Sequence, residues 1–294
     1  MLLCIIAACV MQGQNSLSIG LGVGGSGKTC QGGVPPSGFC PEADTLFKYI
    51  TDWGSLSGGD LLLRKQKIDT LIRTLKTIGI WSTRDEILCL AAPSEQAALI
   101  DWKNPATKTA VNVGGLSLTV DVGYTGLAGS IYYVNTAFNP STPGLNFSLN
   151  SGSFLIASQT NINNWTIDGI VNTRNRVMVY PNYSGSTWGY LNCSLDAGHA
   201  GGTSKGYLMV DRINATTEYI SLNGTSTSNA VNSVGIPNGN FYLFGLNQGG
   251  SIIYTHSRQY SFFTIGGSVG TANYTDFINA IEHFLDYLGC WLLP

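Results

Sequence analysis

The chain of 294 residues carries 15 basic and 17 acidic side chains, a formal net charge of -2, and its charged fraction is 11%. That is less than half of the roughly 25% usual in soluble domains, and so thin a basic field excludes a nucleic acid backbone as partner. A hydrophobic content of 44% over this length is ample for a packed core.

Residues 1–40 read as a glycine-rich, cysteine-containing segment for anchoring or oligomer contact. The opening "MLLCIIAACVM" is apolar but far short of the ~20 residues a membrane-spanning helix needs. It reads as a packing segment, with a lipoprotein signal, "IAAC" at Ile6–Cys9, as the alternative. No later apolar run is long enough to span a membrane. "GVGGSGKT", Gly22–Thr29, fits the phosphate-loop pattern. Its context does not, because Pro35 and Pro36 follow where a helix must present its free N–H groups to the phosphates. Cys30 and Cys40 bracket a short loop that an oxidising environment would close. The seven cysteines are otherwise widely spaced and match no compact zinc pattern.

Residues 41–105 read as a helical subdomain. "EADTLFKYITDWG" places Leu46, Phe47, Ile50 and Trp53 at helical spacing and ends at Gly54. "DLLLRKQKIDTLIRTLKTIG" gives a stronger stripe of Leu61, Ile68, Leu71, Ile72, Leu75 and Ile78, stopped by Gly79, with Arg64, Asp69 and the other charges on the solvated side. Two such neighbours predict a helical hairpin packed on a downstream sheet. Asp85–Ala92 fits a short helix or a strand equally well.

Residues 106–294 read as a β-sandwich closed by a helix. From Val111 the hydrophobic period is two, and eight short candidate strands follow: "GLSLTVDVGY", "GSIYYVNTAF", "GSFLIASQT", "NRVMVYPNY", "KGYLMVDRI", "TEYISLNG", "NFYLFGLN" and "QYSFFTIGG". Strands of this number and length build an antiparallel sandwich. "TEYISLNG" runs into a turn at Asn223–Gly224. Phe277, Ile278, Ile281, Phe284, Leu285 and Leu288 line one side of a terminal helix, residues 275–289, which Gly289 stops.

The order of several of these segments resembles a family of tailed-phage virion proteins, tail-fibre-like or otherwise structural. The resemblance runs through "LKTIGIW" (Leu75–Trp81), "LIDWKNP" (Leu99–Pro105), "VNTAFNPST" (Val134–Thr142), "TEYISLNG", "NFYLFGLNQGG" and "SFFTIGG", and covers roughly residues 42–290. It implies a concanavalin A-like jelly roll with an N-terminal helical hairpin and a C-terminal helix. It also implies a non-enzymatic fibre, spike or surface-decoration component of a virion, assembled as a homo-oligomer, often a trimer, among other virion proteins.

A receptor-binding lectin-like module for bacterial surface glycans is the alternative function. Trp165, Trp188 and Tyr190 are candidates to stack on a sugar, with Asp196 as a polar partner. Asp196, Asn192, Asn163, Asn164 and Asp168 supply hard oxygens of the kind calcium prefers; no other cofactor is expected. The aromatic residues fit a sandwich core or a subunit interface equally well. A glycan-cleaving enzyme needs paired carboxylates, and Asp121, Asp168, Asp196, Asp211 and Glu218 stand isolated, so no catalytic residue is assigned. His199, in "DAGHAGG", reads as an incidental loop histidine.

Overall fold

The computed structural model describes residues 38–129 and 131–290. The readings of the apolar opening, of Gly22–Thr29 and of Cys30 as a partner for Cys40 lie outside the described residues. No disulfide occurs among the described residues: Cys40, Cys89, Cys193 and Cys290 are buried free thiols.

Helix α1 (Pro41–Tyr49) begins with proline in its first turn, where no N–H is required, and Glu42 and Asp44 complement the helix dipole there. It ends before the expected Gly54, because the next N–H groups, of Thr51 and Asp52, are taken by the Gln96 side chain at 3.2 Å. Helix α2 (Gly58–Thr77) buries Ile68, Leu71, Ile72 and Leu75 as its stripe requires, but also Arg64 and Asp69. Both of these charges are paired. Arg64 makes a two-pronged contact with Asp121 at 2.8 and 2.9 Å, and Asp69 accepts from the Cys40 N–H at 2.6 Å and from Arg73 Nε at 2.7 Å.

Strand β1 (Arg84–Cys89) settles the ambiguous segment and is followed by the short α3 (Glu95–Leu99). Then come β2 (Val111–Val113), β3 (Ser117–Thr119), β4 (Gly123–Thr125), β5 (Tyr133–Asn135), β6 (Gly152–Ser158) and β7 (Asp168–Asn172). They are followed by β8 (Asn175–Tyr183), β9 (Ser186–Leu191), β10 (Ala197–Ala200), β11 (Gly206–Arg212), β12 (Thr217–Leu222) and β13 (Thr225–Ala230). The chain finishes with β14 (Tyr242–Leu243), β15 (Leu246–Gln248), β16 (Ser251–Ile253), β17 (Gln259–Gly266) and α4 (Tyr274–Leu288).

The strands form two sheets, and the protein is a mainly antiparallel β-sandwich with helices at both ends of the chain. One sheet runs β13-β12-β11-β6-β17-β4-β3, with β1 also on β17; the other runs β10-β9-β8-β7-β14-β5-β2, with β15 and β16 attached beside β7. The 41–105 segment is therefore not helical throughout, since β1 pairs antiparallel with β17 inside the sandwich.

Register assigns the faces. Phe263 pairs with Ile156 and Ile265 with Phe154, while Phe154 faces Val210 on β11. This set points at the second sheet, where Phe241 packs 5.4 Å from Phe154 and 5.1 Å from Phe263. The alternate set, Phe262, Tyr207, Met209 and Asp211, points the other way. There Trp102 lies edge-on between Phe262 and Phe284 of α4, Tyr207 donates to Glu282, and Tyr274 donates to Asp211 at 2.8 Å. Helix α4 thus covers one face of the first sheet and the second sheet covers the other. Gly289, at φ 83°, closes α4 in the left-handed conformation expected of a glycine stop. The β12–β13 hairpin turns at Asn223 and Gly224, both at positive φ (50° and 84°), as the sequence predicts.

Ionic groups are built into this interior. Arg212 and Glu218, both fully buried, pair at 2.8 Å and together hold the Leu191 peptide of β9, whose N–H donates to Glu218 at 3.0 Å and whose carbonyl accepts from Arg212 Nε at 2.5 Å. Glu86, opposite Ile265 on the inward face of β1, is completely buried and neither carboxyl oxygen makes a hydrogen bond. Burial holds its carboxyl well above the ordinary 4.5, reinforced by Asp101 and Asp85 and opposed by Lys108.

Replacing Arg212 by Met strands a buried carboxylate, and urea unfolding is expected to register a loss of about 3–5 kcal/mol. Only part of it is recovered in the Arg212→Met/Glu218→Leu double variant, which still deprives the Leu191 and Val231 peptide groups of their partners. For Glu86, the folded chain keeps a proton that the unfolded chain releases above pH 4.5, so stability falls as pH rises through that range. Glu86→Gln should remove up to about 1.4 kcal/mol per pH unit of this slope. Superimposable pH profiles for the two proteins would count against a protonated Glu86.

Candidate functional site

The β8–β9 hairpin carries the site. Its two-residue turn, Ser184–Gly185, has both residues at positive φ (51° and 78°), the geometry that matches the twist of paired strands. Pairing sets Met178 opposite Tyr190 and Tyr180 opposite Trp188. Alternation sends Val177, Val179, Gly189 and Leu191 inward. At Gly189 a Cβ would lie 2.9 Å from Val210 of the facing sheet, so only glycine lets the two layers close there. Tyr180, Trp188 and Tyr190 consequently share the outward face. On the neighbouring β10, Gly198 lies opposite Trp188, and a Cβ there would sit 3.0 Å from Trp188 Cζ3; the indole rests over this glycine.

Between Tyr180 and Tyr183 the ladder slips at a bulge over Pro181 and Asn182, a position where proline's missing donor is tolerated. The shift brings Tyr183 to within 6.2 Å of Tyr180, centroid to centroid. Trp165 arrives from the preceding loop, its ring 4.9 Å from Tyr183 and 6.0 Å from Tyr180 at steep angles of 62° and 81°. That loop is fastened on two sides. Asn163 Oδ1 accepts from the Ser184 N–H at 2.9 Å, and the Asn164 N–H donates to the Asn182 carbonyl at 3.1 Å. From the interior, fully buried Arg258 donates to the Ile162 carbonyl at 2.8 Å, to Asn164 Oδ1 at 3.0 Å and to the Thr166 hydroxyl.

The result is a cleft of about 180 Å³ lined by Trp165, Tyr180, Tyr183, Trp188, Tyr190 and Asp196. Trp165 is 53% exposed. The Tyr190 hydroxyl donates to Asp196 Oδ1 at 2.6 Å, and burial, helped by that carboxylate, holds the phenol well above its usual range. Arg176, outside the lining, sets its guanidinium 5.1 Å from the centroid of the Tyr190 ring and donates to the Ser194 carbonyl at 3.4 Å.

All four residues proposed from sequence, Trp165, Trp188, Tyr190 and Asp196, therefore line one cleft. Tyr180 and Tyr183 were missed as site residues. Tyr180 was recoverable from the alternation of "NRVMVYPNY", whereas Tyr183 depends on the bulge.

The oxygens proposed for calcium do not converge. Asp168 is fully buried and accepts from His256 at 3.0 Å, the Phe244 N–H at 2.6 Å and the Tyr260 hydroxyl at 2.5 Å. Asn192 is buried and donates to the Ser148 and Leu149 carbonyls at 2.9 and 3.1 Å. Asn163 and Asn164 fasten the Trp165 loop, the latter against the positive charge of Arg258. Only Asp196 reaches the cleft. His199 is on strand β10 rather than in a loop. Its ring nitrogen meets the Thr227 hydroxyl at 2.7 Å instead of Asp196, and burial holds the imidazole below its usual value.

No family model matches the chain, and no curated protein matches it significantly. Solved structures with some likeness include domain 4 of AbnA, a GH43 extracellular arabinanase from Geobacillus stearothermophilus in complex with arabinotriose, at 12% identity over 67% of this chain and 98% of that one, TM-score 0.46. The botulinum neurotoxin serotype D binding domain matches at 12% identity over 67% of this chain and 51% of that one, also with a TM-score of 0.46. Trypanosoma rangeli sialidase in complex with sialic acid matches at 10% identity over 77% of this chain and 40% of its own, TM-score 0.46. None of these likenesses carries a function over to this chain.

Proposed function

We propose that this protein binds glycans through the aromatic cleft on the outer sheet and does so without cleaving them. One observation carries the reading: five aromatic rings and one carboxylate converge on an open sandwich face, with Trp165 half in solvent. The C–H faces of a sugar ring bury aromatic surface, while its hydroxyls need acceptors such as Asp196 and the tyrosine hydroxyls. At about 180 Å³ the cleft is smaller than the roughly 300–1,000 Å³ of pockets that enclose a whole drug-sized ligand. It suits one ring of a glycan whose remainder stays in solvent. Cleavage calls for two carboxyl groups about 5–9.5 Å apart, and Asp196, already bonded to Tyr190, is the single acid among the lining residues.

The resemblance to tailed-phage virion proteins supplies a setting for this activity. We place the module on the outside of a particle, assembled from several copies, where the cleft meets bacterial surface polysaccharide.

Retention on such polysaccharide, or signal on a glycan array, is expected to fall by up to about tenfold in Trp165→Ala, the scale of one lost stacking contact. Its melting temperature should stay near the parent's because the ring is exposed. A Trp165→Ala protein that binds as well as the parent, or a parent that retains no glycan at all, removes the proposal. The particle setting is checked separately by sedimentation: an oligomer at micromolar concentration is expected, and a monomer there removes the structural role while leaving the binding role intact.

A further inference from the structure

Resting on the glycan-binding reading, we infer that the sugar selected by this cleft carries a positive charge: an amino sugar with a free ammonium group.

The shape comes first. A platform for a neutral sugar is a ring lying open, but here the walls are inclined steeply to one another, at 81° and 62° for Trp165 against Tyr180 and Tyr183, and at 58° for Tyr180 against Tyr190. Trp165 meets Tyr180 and Tyr183 edge-to-face, so the rings wall the cleft on more than one side instead of forming one flat platform, and a cation seated among them is close to several rings. Charge is the second element. Asp196 is the only ionic side chain in the lining. Its Oδ1 accepts the Tyr190 hydroxyl, while Oδ2 makes no hydrogen bond among the described residues. Burial and the neighbouring carboxylate hold the Tyr190 phenol well above its usual range, so it stays a donor to Asp196 Oδ1. The Arg176 guanidinium, 5.1 Å from the Tyr190 ring, is a competing cation that the bound ammonium must avoid, which leaves Trp165, Tyr180 and Asp196 as its partners. That guanidinium is outside the lining and is occupied by the Ser194 carbonyl.

An ammonium-bearing sugar satisfies both features at once, with its N–H groups on Asp196 Oδ2 and its charge against the rings. A hydroxyl in the same place gains the hydrogen bond but not the charge, an acetamido group loses the charge and adds bulk, and a uronic or sialic acid meets Asp196 with like charge.

The test uses the full chain at pH 6 with three β-1,4-linked glucose-backbone tetrasaccharides that differ only at C2: hydroxyl (cellotetraose), acetamido (chitin tetraose) and ammonium (chitosan tetraose). Binding is followed by calorimetry. The ammonium form is expected to bind about fivefold more tightly than the other two, the scale of a solvent-exposed cation–π contact beside a counter-charge. Asp196→Asn, which keeps the acceptor for Tyr190 but not the charge, should bring it down to the hydroxyl form's level, and Trp165→Ala should weaken whichever forms bind. If the hydroxyl or acetamido form binds equally well, or Asp196→Asn leaves the preference in place, the charge assignment is overturned and glycan binding stands. If all three fail and an array of neutral, acidic and amino glycans is blank, both are overturned. If only an amino glycan of another configuration binds that array, the charge assignment is upheld.

Discussion

Strands β6 and β11 have no exposed residue on either face. A sheet built around such strands must be covered twice, and that requirement arranges the rest of the molecule. Helix α4 supplies one cover through Phe277, Ile281, Phe284 and Leu285, with α2 packed behind it; the second sheet supplies the other through Phe241 and its neighbours. The second sheet then keeps its own outward face for something else. Tyr180, Trp188 and Tyr190 stand on that face because their strand partners at odd offsets are committed to the core.

The aromatic cleft and the interior are mechanically one object. The Arg212–Glu218 pair grips the peptide of Leu191, the residue after Tyr190, from the opposite sheet. Arg258, beneath the cleft, holds the Trp165 loop by three separate acceptors. A protein with so few charges has placed three of its arginines, Arg84, Arg212 and Arg258, where solvent barely reaches them. Each donates to carbonyl or hydroxyl oxygens of the dry interior, so that its own buried donors find partners. Rigidity of this kind matters for an aromatic cleft, whose rings give up little freedom on binding only if they are already set in place.

Much of the fold was legible in the residues. The 3.6-residue stripe of α4 and its terminal Gly289, the Asn223–Gly224 hairpin and the alternation in "NRVMVYPNY" all rest on local chemistry that packing then respects. The elements that were missed lacked that chemistry. β13, "TSTSNA", is mostly exposed and shows no apolar side at all, while β1, left open between helix and strand, is buried on both faces and so shows no alternation. The same divide runs through the site. Trp165, Trp188, Tyr190 and Asp196 were identifiable by type, but Tyr183 enters only through a bulge, and the calcium reading failed because a count of oxygens does not reveal which are spent inside. Asp168 and Asn192 look like ligands in the sequence and act as internal rivets in the structure.

The four buried thiols have a consequence for the chemistry of this fold. Burial pushes Cys40 and Cys290 up to about 11 and Cys193 up to about 12, with Cys89 higher still. At neutral pH all four are held as unreactive thiols, because it is the thiolate that attacks disulfides and meets oxidants. The described residues therefore hold four thiols that packing shields from oxidants and from disulfide exchange, and no bridge for a reductant to break.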